Sequence, residues 1–318
     1  MSEGASSVRG QGRASAGAAA PGVGRASAPG TCGELAQGWY RGRWLQVTCP
    51  VDLHVQAWAE LGSEAPLRDG GAGEGEWTGS KARRAARWVL ERLGWGEADI
   101  ALRVRSPIPR GKGMGSSTAD VVAAAAATAR AVGQGPGPDL LADAAVSVEP
   151  SDGIMIPGVA LFDHAAGEVR EPLGDPPPLE GLVGDPGGVV DTVLHHARRG
   201  DGGRSRARCR EVAQWKGAFA DVLHGVTTGD PEAVGRGATV SARIHEEREG
   251  TGLVSRLEGL AREVGAVGVN AAHSGTVRGL LFPGGCREPD AEERVRRAVP
   301  EAVVTWTRVV SGGVGGGP

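Results

Sequence analysis

The chain has 318 residues, a formal net charge of −3 and 40% hydrophobic residues, enough for a packed core in two domains or one large one. Its 54 glycines and 20 prolines approach the proportion at which disorder becomes the first suspicion. The charge excludes nucleic-acid binding by bulk positive potential, the four scattered cysteines (Cys32, Cys49, Cys209, Cys286) exclude a disulfide framework or a C-x-x-C zinc site, and no apolar run reaches the ~20 residues of a membrane span.

Residues 1–25 hold almost no large apolar side chain and are expected to form a disordered tail. They also lack the continuous apolar stretch of a secretory signal, so a reduced, cytoplasmic protein is expected. Alternation predicts strands over Trp44–Pro50 and Val51–Trp58, and the Gly-rich Arg68–Gly75 reads as an exposed loop. Ser80–Leu93 sets Ala85, Val89 and Leu93 on one face and most of its arginines opposite, an amphipathic helix. Ile100, Leu102 and Val104 alternate with polar residues as a half-buried strand. The Ala-rich run to Val132 is a strong helix former, ended by Gly133. Further helices are expected over Asp139–Val148, Val189–Arg199, Glu211–His224, Ala233–Glu247, Leu253–Val264 and Glu292–Ala298. Strands are expected over Val159–Phe162, Val267–Asn270, Val277–Phe282 and Val303–Val310. The Pro-rich Glu171–Leu179 reads as a connection and residues 312–318 as a flexible tail. Interleaved strands and helices make the class mixed α and β.

The most informative stretch joins a strand to a helix through Ser106-Pro-Ile-Pro-Arg-Gly-Lys-Gly-Met-Gly-Ser-Ser-Thr118. Gly111, Gly113 and Gly115 allow backbone conformations closed to other residues and let amides approach a ligand. Ser116, Ser117 and Thr118 stand where the helix begins, so free N–H groups and the positive end of the macrodipole favour an anion. Lys112 adds charge in a chain with only three lysines (Lys81, Lys112, Lys216). The spacing is neither G-x-x-x-x-G-K-[ST] nor G-x-G-x-x-G. The assembly suits a nucleotide triphosphate with a metal ion on a serine hydroxyl.

Pro109-Arg-Gly-Lys-Gly-Met-Gly-Ser-Ser-Thr-Ala119 resembles the central motif of the GHMP kinases. Ala28–Trp39 with Cys49-Pro-Val-Asp52, Glu149-Pro-Ser-Asp152 with Leu161–His164, and Gly268–Thr276 resemble the other signatures of the L-threonine kinase branch, in the same order. The resemblance implies an α+β chain of GHMP kinase fold. A ribosomal-protein-S5-like N-terminal domain (26–165) would face a ferredoxin-like C-terminal domain (166–311), with ATP and substrate between them.

The implied reaction is ATP-dependent phosphorylation of the hydroxyl of L-threonine, for the aminopropanol linker of cobalamin. A kinase for homoserine or another amino-acid-like acceptor, or an ATP-binding regulator without turnover, are the alternatives. The resemblance assigns Pro109 to Thr118 to the phosphates, Ser116 or Ser117 with Glu149 to Mg²⁺, Lys112 to catalysis, and Asp152 to the role of general base. Ser151-Asp152-Gly153 is also an ordinary turn sequence. Glu34 and Asp52 are candidates for the amino group of the acceptor, or else surface carboxylates. His273, Ser274, Gly275 and Thr276 replace the family's glycine run at the last signature and face γ-phosphate or acceptor. A small-molecule partner is implied, with no nucleic acid and no membrane; oligomeric state is not legible.

Overall fold

The computed structural model describes residues 22–62, 79–188 and 209–316. Two long strands carry it: β1 (Val23–Tyr40) and β2 (Arg43–Leu61), paired antiparallel around a two-residue turn. That turn needs positive φ at both positions, and Arg41 (φ 50°) and Gly42 (φ 81°) supply it. The two strands predicted over Trp44–Trp58 are thus one. Pro50 does not break it because it lies opposite Thr31, where β1 bulges and regular pairing lapses.

β3 (Ile100–Arg105) pairs with the far end of β2; β4 (Val159–Phe162) pairs with its near end. β5 (Arg170–Gly174) lies at the sheet edge, outside β4. The Pro-rich segment expected to be a connection therefore holds a strand, and Pro172 is tolerated because an edge strand need not donate on both sides.

Three helices cover this half: α1 (Ser80–Arg92), α2 (Ser116–Ala131) and α3 (Pro138–Val148). Ala123 to Ala127 of α2 are fully buried, the mark of a helix enclosed on all sides. Small side chains there let β1 lie against its backbone; a Cβ on Gly24 would strike the carbonyl of Ala127. The ordered body thus begins before the expected boundary at residue 26.

The second half runs β6 (Leu179–Asp185), α4 (Cys209–Thr228), α5 (Pro231–Glu249), α6 (Leu253–Glu263), β7 (Gly268–Ala271), β8 (Arg278–Pro283), α7 (Ala291–Ala298) and β9 (Val303–Arg308). Its strands lie in the order β7-β8-β6-β9, all antiparallel. This is the split βαβ arrangement of a ferredoxin-like sheet. β6 went unpredicted because Gly181 and Gly184 interrupt its apolar run; Gly181 sits against Thr307. The helix expected over Val189–Arg199 and the loop over Arg68–Gly75 lie outside the described residues.

Both halves share one nine-stranded sheet, joined where Glu34 of β1 pairs with Ala271 of β7. α4 and α5 pack on β1, and α5 also packs on β7. The larger apolar cluster accordingly takes Leu35, Leu45 and Val47 from one half and Trp215, Phe219 and Leu281 from the other. The glycine run expected as a C-terminal tail is instead pinned to the body: the amides of Gly312 and Gly313 donate to Gly158 and Ile154 (2.7 Å each), and Gly315 bridges Ser27.

Candidate active site

The site forms at the N-terminus of α2. Gly111, Gly113 and Gly115 all have positive φ (68°, 81° and 64°), so the loop from β3 curls over the start of the helix. No side chain caps that helix, which leaves its first amides free to meet an anion. The loop is held from behind. The Lys112 carbonyl accepts from the amides of Thr276 and Val277 (3.0 and 3.1 Å), and the Met114 carbonyl accepts from Thr31 (2.9 Å). Gly113 and Gly275 touch so closely that neither has room for a Cβ.

The residues expected at the phosphates divide. Pro109 and Arg110 are exposed, and the Arg110 guanidinium pairs with Asp120 (3.1 Å) in the first turns of α2, tying loop to helix. Burial pushes Asp120 up to about 6, against the pull of Arg110. Met114 is buried and packs inward. Thr118 accepts from the Asp152 amide (3.3 Å) instead of facing the loop. The Lys112 ammonium is taken up by Asp185 (2.8 Å) and by the Gly188 carbonyl (2.6 Å). Asp185 also accepts from Thr276 Oγ1 (2.9 Å). Burial raises its carboxyl, but the bonds from Lys112, Gly187 and Thr276 hold it below the usual value.

Ser116 is buried. The half-buried Ser117 donates to Glu149, and Lys81 of α1 donates to both: 3.2 Å to Ser117 Oγ and 2.5 Å to Glu149 Oε2. One hydroxyl and one carboxylate are hard oxygen donors of the kind Mg²⁺ takes beside phosphate oxygens and water, so the set fits that ion. Among the described residues no group of three or more His, Cys, Asp or Glu could hold a metal unaided.

Asp152 lies beside the loop; its Oδ2 is 3.1 Å from where a Cβ on Gly115 would stand. Burial pushes its carboxyl up to about 6, a hydrogen bond from Gln46 Nε2 to Oδ1 (3.1 Å) opposes this, and the charge of Glu149 adds to it. Gln46 is itself oriented by Gln37, whose Nε2 donates to Gln46 Oε1 (3.2 Å) across the β1–β2 pair.

Glu34 and His273 come together: the buried Glu34 carboxylate accepts the His273 amide (2.9 Å), and the His273 ring stacks on His245 (4.2 Å between centroids). The guanidinium of buried Arg278 donates to the carbonyls of Ala272, Gly275, Thr276 and Val277, gathering that turn around itself. Asp52 is not part of the constellation; its carboxylate is occupied by the amide and guanidinium of Arg308 (2.9 and 3.1 Å), joining β2 to β9. Sequence reasoning missed Lys81, Gln46, Gln37, Asp185 and Arg278. Only Lys81 carried a signal, its rarity.

Residues 80–166 match the family described as GHMP kinases N terminal domain. The L-threonine kinase of Salmonella typhimurium is 32% identical over 264 residues, covering 81% of this chain and 82% of that protein. This chain belongs to the GHMP kinases. The L-threonine kinase of Citrobacter freundii is similar at 31% identity, over 81% of this chain and 85% of the relative. Among solved structures, a homoserine kinase from Cytophaga hutchinsonii superposes with a TM-score of 0.66 at 15% identity, over 97% of this chain and 99% of the other, which bears out the GHMP kinase fold. In the described residues no helix is long and apolar enough to cross a membrane.

Proposed function

We propose that this GHMP kinase transfers the γ-phosphoryl group of ATP to the hydroxyl of L-threonine, giving O-phospho-L-threonine. The observation that carries it is Asp152 set against an uncapped helix N-terminus under a three-glycine loop, in a chain 32% identical to an L-threonine kinase.

The amides from Gly111 to Ser117 receive the phosphates. Asp152 accepts the hydroxyl proton as the threonine oxygen attacks the γ-phosphorus and ADP departs. Ser117 and Glu149 would hold Mg²⁺ together with phosphate oxygens, and the ion when bound neutralises charge on the moving group. Lys112 lends positive charge at the rim of the loop from its place against Asp185. The turn from His273 through Ser274 and Gly275 to Thr276, backed by Glu34, is the wall assigned to the acceptor. The product would serve the aminopropanol linker of cobalamin, made in the cytoplasm.

The test is ADP release and phosphorus NMR of the product with Mg-ATP and L-threonine, serine, homoserine or aminopropanol. L-threonine is expected to give the highest kcat/KM. Turnover of homoserine but not threonine would reject the acceptor; ATP binding without turnover on any of them would favour a regulator.

A further inference from the structure

Lys81 stands where a cation is wanted. Its ammonium contacts the same two groups, Ser117 Oγ and Glu149 Oε2, that the proposed reaction gives to the divalent ion. It projects from the second position of α1, behind Gly79, and its side chain is one-third exposed, so it has freedom to move. Glu149, by contrast, is buried, and Asp120 and Asp152 lie within reach of its charge. A buried carboxylate without a counter-charge is costly, and Lys81 removes that cost. While it does so, Glu149 offers an incoming cation little net negative charge, and a divalent ion at the same oxygens would meet a like charge at contact distance.

From this geometry we propose that Lys81 is a tethered competitor of the metal. It keeps the divalent ion from binding tightly by itself, and it yields Glu149 when the phosphates of the nucleotide offer its ammonium another anion. Metal and nucleotide then bind cooperatively, through one side chain that changes partners. The inference rests on the reading of Ser117 and Glu149 as the metal-holding pair, and it adds a role for a residue outside the central motif.

Mn²⁺ serves as the probe, followed by electron paramagnetic resonance at mildly alkaline pH, with thermal melts confirming that each variant is folded. With Mn²⁺ alone, Lys81→Gln should bind at least about tenfold more tightly than wild type, since removing a like charge at contact distance in a partly buried site exceeds that factor's free energy. Lys81→Arg, which keeps the charge, should retain the weak binding. Adding a non-hydrolysable ATP analogue should strengthen Mn²⁺ binding much more in wild type than in Lys81→Gln. Unchanged or weaker Mn²⁺ binding in Lys81→Gln overturns the proposal. The double variant Lys81→Gln, Glu149→Gln should lose the gain; if it keeps it, the competition is not at Glu149 and the proposal also falls. The metal-site reading is checked separately: Glu149→Gln alone should weaken Mn²⁺ binding in the presence of the analogue. If it does not, that reading fails whatever Lys81 does.

Discussion

The Asp152 carboxyl is pushed up to about 6 by burial, and the amide of Gln46 pulls it back. A base must be ionised to accept a proton, so a raised value makes activity rise with pH. kcat/KM should climb through an inflection near 6 and then level off. Gln46→Leu removes a donor that favours the carboxylate, so the inflection should move to higher pH while the KM for ATP changes little. Asp152→Asn should lower the rate by about 10² or more on the plateau above the inflection and remove the inflection itself. pH–rate profiles of the three proteins check this; a Gln46→Leu inflection that moves down, or a fully active Asp152→Asn, would remove Asp152 from the chemistry. At this scale the sequence offered the candidate groups but not what tunes them. Ser117, Glu149 and Asp152 sit in short motifs with a known order. Gln46 is 106 positions from Asp152, and its amide is aimed by a cross-strand neighbour, Gln37, that only the hairpin register brings opposite. Lys81 likewise reaches Glu149 across 68 positions, from a helix that sequence pattern marks only as amphipathic.

The three-glycine loop before α2 and the turn after β7 act as one element because Gly113 and Gly275 meet backbone to backbone. An alanine at Gly113 would carry φ +81° and put its Cβ 2.8 Å from Gly275 Cα. Gly113→Ala should therefore cost about 1–3 kcal/mol in strain and open the loop, weakening ATP binding as well as lowering Tm. Gly275→Ala meets the same contact from the other side, so the double variant should lose less than the sum of the singles. Gly135→Ala, with nothing within 4 Å, is the control and should stay within about 0.5 kcal/mol of wild type. Calorimetry of melting and of nucleotide binding measures all four; additive losses would mean that loop and turn are independent. Most elements were legible before the structure, because α1, α3, α6, β3 and β9 have clean periods in their own residues. β1 was missed because its Gly- and Ala-rich run lacks an alternating pattern; the other strands missed or split share a cause. β5 carries Pro172 at an edge, β6 carries two glycines between β8 and β9, and β2 runs through Pro50 at a bulge. In each, tertiary pairing supports a strand that local propensity argues against.

The whole molecule turns on how its halves are joined. Between the named strands, pairing across the join is Glu34 against Ala271, and single bridges of Val51 to Val309, Ser27 to Gly315 and Gly158 to Gly312 add to it without forming a continuous ladder. The coupling comes from apolar packing. Trp215 of α4 is buried against Trp44 (5.0 Å between ring centroids) and fills the space left by Gly38, where a Cβ would come within 2.5 Å of its Nε1. Tyr40 stacks on Phe219 (4.5 Å), and the Arg248 guanidinium lies over both Trp44 and Trp215. A core laid across the join should make the halves unfold together. Urea titrations followed by far-ultraviolet circular dichroism, which reads all helices, and by tryptophan fluorescence, which reads tryptophans of both halves as well as this cluster, should share one midpoint. Trp215→Ala should lower stability by about 3–5 kcal/mol, because the cavity opens in packing that cannot collapse around a sheet and two helices. If the halves couple as described, the loss moves the single transition as a whole and shifts both probes equally. Two separated transitions in the wild type, or a Trp215→Ala variant in which only the fluorescence midpoint moves, would mean that the join is a hinge between independent domains. The cleft chemistry would then have to assemble on closure, because Asp185 would reach Lys112 only when the halves met.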